Sequence, residues 1–351
     1  MDTIKNRKNN TFLALDSGGT KVAAVLYDGR FEPLAAAVCG SLRANTTPAA
    51  QVEANFEELV KKLGLAPGRR IDCIAGTFER AVGERLRLRY DVGLDSSSGR
   101  GSSGKAGGGP FAAGLFGEMN MGLSAAGIFG DGLLALSGTG ATVFARIDGR
   151  CLSAGGYGAA VADEGSGYWI SREAMIAAIR GYEARGESTR LTDIVVNHFG
   201  GPDWERRRFR EAIFSIYTGD RPPVARVAEL VPEVVNAAAA GDRVSARILT
   251  EAGRLLAEQL LSLIRMNDIP ENVPITISGS VWRKNPLFFE AFNTKLQERY
   301  TDPQTAPRLM IPRFAPLIGV LMRQMYEENG ALTEADYAFL EARYGQFRYE
   351  I

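Results

Sequence analysis

Two short glycine-rich stretches carry residues suited to phosphoryl transfer. Each follows an apolar run: the first reads Asp16-Ser17-Gly18-Gly19-Thr20-Lys21 and the second reads Ser137-Gly138-Thr139-Gly140. Glycines allow a tight turn whose successive backbone N–H groups converge on an anion. Asp16 is placed to hold Mg²⁺ through water, because Mg²⁺ keeps most of its hydration shell. Neither stretch has Walker A spacing. Taken alone, each stretch is as compatible with a structural turn as with a phosphate-binding loop. Because the two occur as a matching pair, the sequence favours two phosphate-binding loops.

Two further stretches combine glycine with acidic or aromatic residues. Gly155-Gly156-Tyr157-Gly158 precedes a block, 162–170, that contains Asp163 and Glu164 next to glycine. Helix capping and compensation of the helix dipole would account for the two acids, but not for the glycine cluster before them. The second stretch, Ser278-Gly279-Ser280-Val281-Trp282, predicts a strand that opens through glycine into a loop. A flat adenine ring has room to lie against such a backbone, although this signal is weak by itself.

An internal repeat organises the chain and positions the two glycine turns. Residues 13–22 and 134–143 each form an apolar run, a Gly/Ser/Thr turn and a second apolar run, and the copies end at Asp28-Gly29 and Asp148-Gly149. This pattern predicts a strand, a tight turn and a second strand. We therefore expect a duplicated α/β protein, with domains at 1–129 and 130–351.

The remaining pattern predicts helices packed on largely buried sheets. Strands are predicted over 33–39, 71–76, 151–154, 274–278 and 309–314. Helices are predicted over 48–63, 168–184, 286–300, 316–329 and 334–344, the last of them packing back on one of the domains. The segment 95–110 is rich in serine and glycine. It has too little apolar surface to order itself, and is expected to be either a tolerated insertion or a lid.

Composition and charge exclude several classes of partner. Lys plus Arg and Asp plus Glu number 41 each in the 351 residues, so no net field attracts nucleic acid or an anionic membrane. No apolar run reaches the roughly 18 residues of a membrane span, and a cytoplasmic protein with small-molecule partners is expected. Cys39, Cys73 and Cys151 are far apart and predict no disulfide or metal site, and the single histidine, His198, is predicted to be structural. General-base chemistry is therefore expected from a carboxylate.

Together these motifs resemble those of a known family. The ordered set Asp-x-Gly-Gly-Thr-Lys, Ser-Gly-Thr-Gly, Gly-Gly-Tyr-Gly-x-x-x-x-Asp-Glu-Gly-Ser-x-Tyr-Trp-Ile and Ser-Gly-Ser-Val-Trp is similar to the N-acetylglucosamine kinases. Those enzymes group with the BadF/BadG/BcrA/BcrD ATPases in the sugar kinase, heat-shock chaperone and actin superfamily. The resemblance runs from about Thr11 to about Arg323. It implies an α/β fold of two ribonuclease H-like (actin-like ATPase) domains that flank a nucleotide cleft, with ATP and Mg²⁺ bound there.

The resemblance also implies roles for individual residues. The first phosphate loop would comprise Gly18, Gly19, Thr20 and Lys21 beside the Mg²⁺-binding Asp16. The second phosphate loop would comprise Ser137, Gly138, Thr139 and Gly140. Gly279 and Ser280 would belong to the adenosine site. The sugar site would comprise Asn45, Thr46, Thr142, Gly155, Gly156 and Asp163.

The catalytic base has a less direct match. The family places an aspartate before a helix of small residues; here that helix is predicted to begin at Met119, and the matching position is Glu118. Two alternatives stay open. Either Glu118 caps the helix, which the helix dipole would favour, or the base is Asp163, whose match in the family is a sugar-orienting residue.

The activity implied by the resemblance is ATP-dependent phosphorylation of an amino sugar, most directly N-acetylglucosamine to its 6-phosphate. N-acetylmuramic acid, glucosamine or another hexose stay open as acceptors, and a homodimer is compatible with the resemblance. An alternative of another class is an ATPase that activates an acyl-CoA dehydratase and has no sugar substrate. Such activators bind an iron–sulfur cluster through cysteines, and no cysteine lies near Ser137-Gly138-Thr139-Gly140 with ligand-like spacing.

Overall fold

The computed structural model describes residues 10–44, 47–95, 117–201, 204–218, 223–298 and 309–351. Packing divides the chain into two compact units. Unit 1 comprises Met1–Gly132, Arg146–Cys151 and Met310–Tyr349, and unit 2 comprises Leu133–Ala145, Leu152–Leu309 and Glu350–Ile351. The C-terminal segment thus packs within unit 1. The domain boundary between residues 129 and 130 stays a prediction.

Ten strands in the described part of the chain form two five-stranded sheets. They are β1 Thr11–Ser17, β2 Lys21–Asp28, β3 Pro33–Gly40, β4 Arg70–Thr77, β5 Asp91–Asp95, β6 Gly132–Ser137, β7 Ala141–Ile147, β8 Arg150–Gly155, β9 Ile275–Ser278 and β10 Leu309–Met310. The first sheet has the order β3-β2-β1-β4-β5 and the second has the order β8-β7-β6-β9-β10. The two orders correspond strand for strand, so the predicted duplication is confirmed at the level of topology.

Twelve α-helices are found in the described residues. They are α1 Ala49–Lys62, α2 Arg80–Arg89, α3 Gly117–Ala125, α4 Gly167–Tyr182, α5 Leu191–Gly200, α6 Phe209–Thr218, α7 Pro223–Ala228, α8 Val231–Ala239, α9 Arg243–Met266, α10 Pro286–Gln297, α11 Pro316–Asn329 and α12 Glu334–Tyr344. Within the same residues, none has the length and apolarity that crossing a membrane requires.

The central strand of unit 1 is buried on both faces because apolar residues occupy every position from 12 to 15. Phe12 and Ala14 contribute to one buried cluster, which includes residues of α3, α11 and α12. Leu13 and Leu15 contribute to a second cluster with residues of α1 and α2. Alternate side chains of a strand point to opposite faces, so helices cover both faces of this sheet.

Strand pairing brings the ends of neighbouring strands together in each unit. In unit 1, β1 pairs with β2 in antiparallel and with β4 in parallel orientation, and Asp16 lies opposite Thr77. In unit 2, β6 pairs in parallel with β9, and Leu136 lies opposite Ser278. The carboxyl ends of paired parallel strands meet at one edge of a sheet, which is where ligands bind in α/β folds.

Close packing of two helices positions α3 in unit 1. Gly319 of α11 lies against α3 so closely that an added Cβ would overlap the carbonyl oxygen of Met121. On the other side, the Thr77 hydroxyl at the end of β4 donates to the sulfur of Met121 at 3.3 Å. The small residue at 319 therefore sets the distance between α11 and the helix that carries Glu118.

We predict that Gly319→Ala destabilises unit 1. Alanine favours a helix interior over glycine by about 1 kcal/mol, whereas overpacking a buried contact costs about 1–3 kcal/mol. The cost of overpacking should exceed the gain in helix propensity. The free energy of unfolding measured by urea titration should therefore fall by about 1 kcal/mol or more. Gly345→Ala is the matched control, because Gly345 has helical dihedral angles and open space around it. A Gly319→Ala protein as stable as this control would contradict the prediction.

Candidate functional site

The first glycine turn joins β1 to β2 and is held from behind by the segment that follows β3. The Gly18 N–H donates to the Lys21 carbonyl at 2.8 Å, which closes the turn. The Ser41 hydroxyl donates to the Gly18 carbonyl at 2.8 Å, and the Arg43 Nε donates to the Ser17 carbonyl at 2.8 Å. The carbonyl groups of the turn are therefore directed at this segment.

Asp16 lies beside this turn and is partly buried. Burial raises the pKa of Asp16 to about 6, and the nearby Glu118 carboxylate adds to the rise, whereas Arg43 and Lys21 oppose it. A carboxylate in this position, with a second negative charge nearby, is suited to attract a hard divalent cation. The residues thus fit the water-mediated Mg²⁺ site that was predicted at Asp16.

Glu118 lies in the first turn of α3, since the helix begins at Gly117 rather than at Met119. Its Oε1 accepts a hydrogen bond from the Nη2 of Arg43 at 2.6 Å. The side chains of both residues are about a third exposed or less. Glu118 is therefore inside the helix, is paired with a cation, and lies within electrostatic reach of Asp16.

The second glycine turn joins β6 to β7 in unit 2 and is anchored on the start of α4. The Gly138 N–H donates to the Gly140 carbonyl at 2.9 Å, which closes the turn. The N–H of Gly167 donates to the Gly138 carbonyl at 2.7 Å, and the N–H of Tyr168 donates to the Thr139 carbonyl at 3.2 Å. The turn carbonyls thereby satisfy N–H groups that have no partner within the helix itself.

Ser137 connects this turn to β9 and to the loop before α4. Its buried hydroxyl donates to the Gly165 carbonyl at 2.6 Å, and its own carbonyl accepts from the Val281 N–H at 3.2 Å. Gly279 has a φ of 105°, and an added Cβ would overlap the Ser137 carbonyl. Only glycine fits this position, so the predicted adenosine residues Gly279 and Ser280 lie directly beside the second turn.

Asp163 is buried next to the second turn and is held by the glycine loop that precedes it. Its Oδ1 accepts from the Gly158 N–H at 3.1 Å, and a Cβ built on Gly140 would lie 2.9 Å from its Oδ2. Burial raises the pKa of Asp163, the Gly158 N–H opposes that rise, and the Glu164 charge adds to it. The Asp163 carboxylate therefore joins the second turn to the predicted sugar residues.

Thr142 and the two glycines predicted for the sugar site also lie together. A Cβ on Gly156 would overlap the Thr142 hydroxyl, and a Cβ on Gly155 would overlap Oε1 of Gln259. The Gln259 Nε2 donates to the Glu164 carbonyl at 3.0 Å, so α9 supports the segment that follows Asp163. Unit 2 thus brings together all four of its predicted sugar residues: Thr142, Gly155, Gly156 and Asp163.

Two predicted sugar residues, Asn45 and Thr46, lie outside the described residues, as does the segment 95–110 apart from Asp95. Arg43 and Gln259 were not predicted from the sequence, because neither belongs to a glycine-rich or acidic motif. Across the described part of the chain, no group of three or more His, Cys, Asp or Glu side chains is arranged to hold a metal ion. All three cysteines are free thiols.

Comparison with known proteins identifies relatives. The chain is 29% identical over 165 residues to an N-acetylmuramic acid/N-acetylglucosamine kinase of Clostridium acetobutylicum. The aligned region covers 46% of this chain and 52% of that protein. The alignment thus spans about half the length of this curated relative.

Solved structures are similar over a longer span. A protein of Chromobacterium violaceum provisionally named an N-acetylglucosamine kinase has a TM-score of 0.59 at 22% identity, covering 90% of this chain and 100% of that one. A glucokinase of the ROK family from Streptomyces griseus, solved with glucose and AMPPNP, has a TM-score of 0.50 at 14% identity, covering 90% and 98%. These similarities confirm the predicted α/β, actin-like ATPase fold.

The family model supplies the most direct assignment. It matches residues 115–323, which is more than half of the chain and includes the second turn, Asp163 and Gly279. The chain therefore belongs to the BadF/BadG/BcrA/BcrD ATPase family.

Proposed function

We propose that the protein is an ATP-dependent kinase for an amino sugar, with N-acetylglucosamine as the acceptor and its 6-hydroxyl as the group phosphorylated. One observation carries the proposal. In unit 2, the carboxylate of Asp163 lies against Gly140, so that a turn suited to phosphate adjoins a cluster suited to sugar hydroxyls. An ATPase without a sugar substrate has no need of that second cluster.

The proposed mechanism assigns one task to each group. The turns at Gly18 and Gly138 bind the phosphates through backbone N–H groups, and Gly279 with Ser280 binds the adenosine. Asp163 and Thr142, with Asn45 and Thr46, orient the sugar. Asp16 would hold Mg²⁺ through water, and the bound ion would supply positive charge that stabilises the transferring phosphate. Glu118 accepts the proton of the sugar hydroxyl while that oxygen bonds to the γ-phosphorus and the bond to ADP breaks.

Names of the relatives support the amino-sugar class. The Clostridium acetobutylicum relative is named for both N-acetylmuramic acid and N-acetylglucosamine, and a second relative, from Dictyostelium discoideum, is named an N-acetyl-D-glucosamine kinase. N-acetylmuramic acid is therefore the second acceptor to test. It carries an additional carboxylate, so the two sugars differ in charge as well as in size.

We predict that Mg·ATP turnover depends on an amino sugar. ADP release should rise at least tenfold when N-acetylglucosamine is added, and should rise less with glucosamine or glucose, because the proposed acceptor is N-acetylated. Asp16→Asn should abolish this turnover, by several powers of ten. Asp193→Asn, at an exposed position on α5, is the matched control and should keep the wild-type rate. If no sugar accelerates ADP release, the protein acts as an ATPase without a sugar substrate, and the proposed kinase activity is refuted.

We predict an acid limb in the pH profile with a midpoint near the Asp16 pKa of about 6. Protonation of Asp16 removes the charge that holds hydrated Mg²⁺, so kcat/KM for Mg·ATP at saturating sugar should fall as the pH drops through this value. Since the Lys21 charge lowers the Asp16 pKa, Lys21→Gln should move the midpoint to higher pH. A profile that is flat to pH 5 would show that Asp16 is not the titrating group.

We predict that Glu118→Gln lowers kcat by ~10²-fold or more while sugar binding is largely kept, because only proton acceptance is removed. Asp163→Asn should instead weaken sugar binding, since its role is orientation. Sugar and nucleotide binding are followed by calorimetry and kcat by ADP release. If Asp163→Asn alone shows the large loss in kcat with binding intact, then Asp163 is the base and Glu118 is structural.

A further inference from the structure

Arg43 contacts both the first glycine turn and the candidate base Glu118 in unit 1, yet it has no role in the mechanism proposed above. Its Nε donates to the Ser17 carbonyl at 2.8 Å, and its Nη2 donates to the Glu118 Oε1 at 2.6 Å. One planar guanidinium thus joins the backbone of the first turn to the candidate base. The two residues that it joins belong to β1 and α3, and Arg43 itself follows β3.

The backbone that carries Arg43 is itself fixed. The Arg43 N–H donates to the Ser41 hydroxyl at 3.1 Å, and that hydroxyl donates to the Gly18 carbonyl at 2.8 Å. The buried Asn55 of α1 donates from its Nδ2 to the Ser41 carbonyl at 2.8 Å. Because these groups are largely buried and hydrogen-bonded, Arg43 projects from a rigid support.

A rigid support matters here because Glu118 stands where the resemblance implies an aspartate. The extra methylene adds a rotatable bond, and a general base must stay within hydrogen-bonding reach of its proton donor. A guanidinium presents its N–H donors in a fixed fork, so it can bind Ser17 and Glu118 in one geometry. A lysine ammonium has no such fork.

We propose that Arg43 is a positioning residue for phosphoryl transfer. It binds Oε1 of Glu118, so that Oε2 accepts the proton of the sugar hydroxyl, and it keeps the base in a constant position relative to the first phosphate turn. The proposal rests on the proposed kinase function. The guanidinium stays protonated throughout and takes no part in the proton transfer.

The test is a double-mutant cycle on kcat with Arg43→Ala, Glu118→Gln and the double variant, in the full-length protein with Mg·ATP and N-acetylglucosamine. Arg43→Ala should lower kcat by roughly 10–100-fold, as small displacements of a catalytic group do, with KM for both substrates changed less than about threefold. In the Glu118→Gln background the same change should cost under about threefold, because the group it positions is gone.

Three controls separate positioning from folding. Arg43→Lys should stay nearly as slow as Arg43→Ala, and millimolar guanidinium should restore part of the activity of Arg43→Ala but none in Glu118→Gln. Arg70→Ala removes an exposed arginine that is paired with Asp72 and Asp91 on β4 and β5, and it should keep full activity. Urea unfolding and Mg·ADP binding check that each variant is folded, and Arg43→Gln replaces Arg43→Ala if the latter is not.

The outcomes that overturn the proposal are distinct. Losses that multiply in the double variant, or an Arg43→Ala rate within about threefold of wild type, would show that Arg43 does not act through Glu118. A wild-type protein whose ADP release no sugar accelerates would refute the proposed function first, and the assignment of Arg43 with it.

Discussion

The parallel pairing of the central strand with its neighbour is the constraint on which the candidate site depends. β1 pairs with β4 in unit 1, and β6 pairs with β9 in unit 2. In both, the strand that leads into a glycine turn ends beside another strand's carboxyl end. A shift of this register by one residue would turn Asp16 to the opposite face of the sheet. The buried apolar run of β1 opposes such a shift, because it would move four packed side chains at once.

Duplication explains why two similar turns exist, but each turn is supported differently. In unit 1 the donors behind the turn are the Ser41 hydroxyl and the Arg43 guanidinium. In unit 2 they are backbone N–H groups of Gly167 and Tyr168, at the start of α4. The equivalent strands therefore give each turn its shape. Residues outside the repeat supply the hydrogen-bond donors behind each turn and so contribute to its electrostatic environment. Outside the repeat, the carboxylate near the turn is Glu118 in unit 1 and Asp163 in unit 2.

Local patterns were sufficient to predict much of the fold. The helices at 316–329 and 334–344 have the predicted bounds, and the repeat predicted the order of matching strands. Helix α2 and strand β5 were not predicted. α2 carries four arginines and one glutamate in ten residues, so it lacks the apolar periodicity that indicates a helix. β10 ends at Met310, although the strand was predicted to reach residue 314.

The candidate site could be predicted only where its residues are close in sequence. The glycine turns, Asp163 and Gly155 belong to motifs that are readable as such. Arg43 and Glu118 are 75 residues apart, and Gln259 and Glu164 are 95 residues apart. Contacts of this kind arise from sheet register and helix packing, so no local spacing indicates them. Asn45, Thr46 and the assignment of Glu118 as the base accordingly stay predictions.

The supports behind the two turns have one electrostatic effect in common. A peptide carbonyl that accepts a hydrogen bond polarises the N–H group of the same peptide unit, which strengthens the bonds that this N–H donates. In unit 1 the Gly18 carbonyl accepts from Ser41, which polarises the Gly19 N–H. In unit 2 the Thr139 carbonyl accepts from the start of α4, which polarises the Gly140 N–H. Different donors therefore prepare corresponding N–H groups for an anion, and the phosphate chemistry of each turn depends on residues that the repeat itself does not contain.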